Sequence, residues 1–73
     1  MTLAEAKEGK HFIVTATRSD EVTMQAVRFG IGEGARIGIA KNIKGGPVII
    51  ALNEMELAVG RDVAFQIDVS EVG

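Results

Sequence analysis

Few residues in this chain could do chemistry. His11 is its single imidazole, and there is no cysteine. A zinc or iron centre draws three or four ligands from His, Cys and carboxylates. The nearest such group in sequence is Glu5, Glu8 and His11, but Lys10 lies inside it and opposes a cation. His11 is therefore expected at the start of a strand, facing solvent. As a metal ligand it is a weak candidate, good for no more than weak transition-metal binding together with a carboxylate. Met24 and Met55 offer thioethers, yet methionine in a small core more often fills gaps. No resident cofactor is expected.

The spacing Gly30-x-Gly32-x-Gly34 suggests a phosphate cradle only at first sight. Phosphate loops set their glycines ahead of a helix N-terminus, where amide hydrogens face the anion. Here they follow a helical pattern and would sit at its negative end. Gly30 and Gly34 are read as structural turn residues, and Lys44-Gly45-Gly46 as a hairpin tip. Acyl-transfer or hydrolytic chemistry needs a nucleophile beside a base. Ser19 and Ser70 fall near element ends and suit capping or solvent, and Glu54 and Glu56 read as solvated acids. No catalytic constellation is present, so the chain is not expected to be an enzyme.

The elements that carry these residues must fit into 73 residues, which is one domain, residues 1–73, with a small core. Hydrophobic residues make up 47% of the chain, but only three are aromatic, so Val, Ile, Leu and Ala must fill that core. A net charge of −2 with acids and bases interspersed disfavours nucleic acid. The longest apolar run, Val48 to Leu52, is far short of the roughly 20 residues of a membrane span, so no insertion is expected. Charges in Met1-Thr2-Leu3-Ala4-Glu5-Ala6-Lys7 come too early for a signal peptide. A cytoplasmic location is expected.

Along the chain, Thr2 to Glu8 reads as one loose turn anchored by Leu3 and Ala6. His11 to Thr17 is a strand by its β-branched content, with Phe12, Val14 and Ala16 on one face and His11, Ile13, Thr15 and Thr17 on the other. Ser19 or Asp20 caps a helix over about 21–29, with Val22, Ala26 and Phe29 as its apolar stripe. Gly30 stops that helix in a left-handed conformation, and Ile31 folds back toward Ala26. Strands follow at 35–41, 48–52 and 55–59, then a helical turn at 60–64 and a last strand at 65–69 with Ile67 and Val69 inward. Five short strands and one small helix between the first two predict a mainly β fold, a small SH3-like barrel. Closure would remove exposed sheet edges.

The ordered set Phe29-Gly30-Ile31-x-x-Gly34-Ala35, Gly46-Pro47-Val48, Met55-Glu56-Leu57 and Asp62-Val63-Ala64-x-x-Ile67-x-Val69 resembles the FeoA family, ferrous iron transport protein A. The resemblance spans Leu3 to Val69. One departure is visible in Met24-Gln25-Ala26-Val27, which is smaller and less basic than the family often is there. The resemblance implies an SH3-like barrel and a small cytoplasmic accessory protein that supports a FeoB-type ferrous iron permease. The domain is also similar to the C-terminal domain of iron-dependent repressors.

Binding is what the residues themselves leave. With Phe12, Val14, Val48, Ile50 and Leu52 inward, alternation turns Ile13, Ile49 and Ala51 outward. These three are expected to form a partner-binding face, unless the N-terminal turn, the helix or a homo-oligomer covers them. Two functions are consistent with this: an adaptor for the transporter's cytoplasmic part, or a metal-responsive regulatory module like the repressor domain.

Overall fold

The computed structural model describes residues 1–72. Strand β1 is His11–Thr17, and its β-branched and aromatic residues suit a pleated, half-buried surface. Helix α1, Asp20–Arg28, starts where the Ser19 hydroxyl accepts the Val22 N–H at 3.2 Å, with Asp20 and Glu21 at its positive end. It stops where Gly30 takes φ +79°: the Gly30 N–H reaches the Val27 carbonyl at 3.1 Å, and the Ile31 N–H reaches Ala26 at 2.8 Å. That pair of reversed bonds is a Schellman stop, and it buries Ile31. Gly34, at φ +92°, gives its N–H to the Val14 carbonyl at 2.7 Å and turns the chain into β2, Arg36–Asn42.

The chain continues as β3, Val48–Leu52, and β4, Met55–Val59, joined by Asn53-Glu54 with Asn53 at φ 58°. A short helix, α2, Arg61–Ala64, then leads into β5, Ile67–Glu71. The strands form one antiparallel sheet in the order β4-β3-β2-β1-β5. Register shifts between Val14 and Ala16 in β1, and between Ile39 and Lys41 in β2, bend it. Inward residues of all five strands, among them Phe12, Ile37, Ile50, Val59 and Ile67, belong to one core cluster. The sheet therefore curls around a single core, as an SH3-like barrel does. α1 contributes Val22 and Ala26 to that core, and the N-terminal 3-10 turn, Leu3–Glu5, contributes Leu3 and Ala4.

Several expectations change. The barrel does not close: β4 and β5 do not pair among the described residues, and α2 occupies the connection between them. The β5 edge is covered by the N-terminus instead, through a Thr2–Asp68 bridge and a Val69 N–H to Met1 carbonyl bond of 2.8 Å. Phe29 is not part of the helix's buried stripe. It caps α1 and stands 50% exposed, because the stop hands the inward position to Ile31. Met24 and Met55 fill no core gap and are also exposed. The last strand begins at Ile67 rather than 65, since Phe65 still ends α2 and Val63 accepts the Gln66 N–H.

Candidate functional site

The outer face of the sheet is set by the strand register. One row runs His11, Gly38, Ala51, Glu56 across β1, β2, β3 and β4. On one side of it lies the row Ser70, Ile13, Arg36, and on the other Lys41, Ile49, Ala58. Ile13, Ile49 and Ala51 all lie in the phase opposite to the buried Phe12, Val14, Val48 and Ile50, and all three are half-buried. Ile49 and Ala51 are neighbours along β3. Ile13 stands apart: two strands and four residues of offset place it roughly 16 Å from Ile49.

The ground between them is low. Gly38 has no side chain, and a Cβ there would come within 3.3 Å of the His11 ring. The imidazole thus lies against the sheet surface beside Gly38, and a side chain at that position would require the ring to shift by a few tenths of an ångström. The face is a shallow Gly38–Ala51 floor with two aliphatic walls, and Arg36 and Lys41 stand beside those walls. Such a surface offers contact area and a few charges. It offers no enclosed site in which a reacting group would be desolvated.

The residues named for metal chemistry are engaged elsewhere. Glu5 Oε1 accepts the Thr2 N–H at 2.8 Å and the Thr2 hydroxyl at 3.1 Å; these bonds, the backbone one first, hold its carboxyl below the ordinary range. Glu8 accepts the Asn42 N–H at 2.9 Å, pinning the start of the chain to the end of β2. No group of three His, Cys, Asp or Glu side chains stands close enough to hold a metal ion among the described residues. The amides of Gly30, Ile31 and Gly34 are all spent on protein carbonyls, so the glycine stretch has none of those three N–H groups to offer an anion. Glu54 and Glu56 are exposed.

Two polar clusters escape local sequence reading. Arg61 donates to the carbonyls of Gly46 at 2.8 Å, Ala4 at 3.1 Å and Ile43 at 2.7 Å, and to the Asn42 side chain. Asn42 in turn donates to the Ala4 and Ala6 carbonyls at 3.0 and 2.8 Å. Together they tie α2, the β2–β3 loop and the N-terminal turn. In the second cluster Arg18 clasps Asp68 with bonds of 3.1 and 2.7 Å. The Arg18 hydrogen bonds hold the Asp68 carboxyl below its usual range, and the same bonds raise the guanidinium. All these partners are far apart in sequence, so no local signal marks them.

Residues 1–71 match the FeoA domain family model. The chain is 37% identical over 70 residues to a putative Fe(2+) transport protein A from Methanocaldococcus jannaschii, covering 94% of this chain and 84% of that one. Its fold is similar to the crystal structure of an iron uptake regulatory protein, FeoA, with a TM-score of 0.88 at 25% identity, covering 99% and 96% of the two chains. A manganese-dependent transcriptional repressor shares the fold at a TM-score of 0.85 and 18% identity, covering 99% of this chain and 41% of that one. No described helix is long and apolar enough to cross a membrane.

Proposed function

The chain belongs to the FeoA domain family, and from that premise, and from its 37% identity to a protein named putative Fe(2+) transport protein A, we propose that it is an accessory protein of ferrous iron uptake. It acts in the cytoplasm as a protein-binding adaptor for a FeoB-type membrane iron transporter. The observation that supports this reading most is the outer sheet face, where half-buried Ile13 and Ile49 flank the Gly38–Ala51 floor. Fully burying an exposed isoleucine is worth about 1.5–3 kcal/mol, and the half-buried Ile13 and Ile49 have only part of that left to give, which suits a weak, reversible contact. Arg36, Lys41 and Glu56 stand on the same face, so a partner would meet an aliphatic surface rimmed by charges of both signs.

The test has two arms. The cytoplasmic part of the FeoB-type transporter from the same organism should co-sediment with the purified chain. Calorimetric titration of Fe(II), Mn(II) and Zn(II) into the chain alone should give no stoichiometric heat. Co-sedimentation without metal uptake supports the adaptor. Sub-millimolar stoichiometric metal binding without co-sedimentation would replace it with the metal-responsive module.

A further inference from the structure

The five-stranded ladder ends in two strands, and only one of their outer edges is covered. Outside its ladder with β3, no backbone group of Met55–Val59 has a backbone partner among the described residues. The two-residue connection makes Leu52 and Met55 the closing pair, so alternation aims the N–H and C=O groups of Glu56 and Ala58 outward. The edge is also regular: its five pairs with β3 run without a register shift, and it holds neither proline nor lysine. Proteins usually blunt an open edge with such features.

A cleft of about 90 Å³ lies beside this edge, lined by Phe29 and Ile31 from the α1 stop, Leu57 from β4 and Val63 from α2. It is larger than one water needs, and its named walls are apolar. The surrounding charge is acidic. Glu54, Glu56 and Asp62 are exposed, and none has an ion-pair partner among the described residues. Arg61 is turned toward the carbonyls of the N-terminal turn and the β2–β3 loop. Arg28, like the three acids, lies outside the cleft lining, but Glu56 is on the β4 edge itself.

We propose that β4 accepts an extended peptide segment of alternating basic and apolar residues as an added strand. The occupant's backbone would pair with Glu56 and Ala58. Alternation would then turn its apolar side chains into the Phe29–Leu57–Val63 cleft and its basic ones toward Glu56. A second copy of this chain is the poorer occupant, because β4 against β4 brings two acidic edges together. The proposal deepens the adaptor reading by naming the chemistry of a contact, but its test needs no transporter.

The test uses the full, isotope-labelled chain and a blocked heptapeptide of alternating lysine and valine, with a glutamate–valine peptide as control. The lysine peptide should slow amide exchange at Glu56 and Ala58 and shift the signals of Phe29 and Leu57. The glutamate peptide should bind about tenfold more weakly or less. Ala58→Pro should keep the wild-type melting temperature and lose the peptide, since only an outward N–H is removed. Should Ala58→Pro fail to fold, the double variant Glu54→Lys, Glu56→Lys should reverse the preference between the two peptides. Equal binding of both peptides, shifts confined to other elements, or peptide-free protection of Glu56 and Ala58 that grows with protein concentration would each overturn the proposal. Failure of the peptide leaves the co-sedimentation result standing, and failure of co-sedimentation leaves the peptide result standing.

Discussion

At the β5 end of the sheet the chain folds its own N-terminus over the edge. Thr2 bridges Asp68, Leu3 is fully buried, and Arg61 and Asn42 hold the carbonyls of the segment from both sides. At the β4 end nothing comparable happens: the strand is largely exposed, and its neighbour across the cleft is the half-exposed Phe29. Both edges present the same backbone chemistry, and only one is satisfied from within. The difference teaches where this fold keeps its stability and where it keeps its free surface. A 73-residue chain has little apolar area to spare. It spends that area on one edge and leaves the other to hairpin charges.

Mutations can break this contrast. Leu3→Ala, on the covered side, should cost about 2–5 kcal/mol, since a fully buried leucine leaves a cavity that the turn cannot fill. Leu57→Ala, half-buried on the open side, should cost clearly less, and thermal melts of the two variants compare them directly. Equal losses would mean that the open edge is as structural as the covered one.

Arg61→Met should cost about 1.5–3 kcal/mol, because a charged donor shared by three carbonyls is removed while the stem's packing is kept. Amide exchange of the N-terminal turn should rise first, which would sharpen the contrast by showing what holds the cover in place.

On the open side, Gly30→Val should destabilise by at least about 1 kcal/mol, as a β-branched residue is strained at positive φ. An unchanged melt would dissociate the α1 stop from the placement of Phe29.

The smallest effect is electrostatic. The Asp68 carboxyl is held below its ordinary value by Arg18, so its contribution is fully present above the unfolded value, about 4. That contribution is lost as pH falls through the lower, folded value. The pair is solvent-exposed, so a modest drop in acid stability is expected, and Asp68→Asn should flatten that part of the melt-versus-pH curve.

Much of this fold was legible because its signals are local. Ser19 before an acidic turn, Gly30 after Arg28, and Asn53-Glu54 between two apolar runs each mark a boundary within a few residues, and strands β1, β3 and β4 begin and end where composition placed them. The phase of β3, and of β1 as far as Val14, follows from alternation alone. Beyond the register shift Thr17 pairs with buried Ile67 and Ala16 with Asp68, so those two stand on the faces opposite to the ones strict alternation gives them. Helical periodicity puts Phe29 on the buried stripe, but the helix stops one residue earlier and Ile31 takes the inward position. Met24 and Met55 are exposed despite their hydrophobicity, which does not report the face a residue occupies. The open β4 edge, the Arg61–Asn42 tie and the offset between Ile13 and Ile49 depend on register and on contacts between distant segments. No window of sequence contains them.

The adaptor reading is tested most directly by Ile49→Lys, measured on one sample by thermal melt and by co-sedimentation with the transporter's cytoplasmic part. Ile49 is half-buried on the outer face, opposite Ala58, so a lysine stem can lie along the sheet with its ammonium in water. The account predicts a melt close to wild type together with loss of the transporter. A variant that unfolds would make Ile49 a core residue, and one that folds and still binds would remove this face from the contact; either result contradicts it.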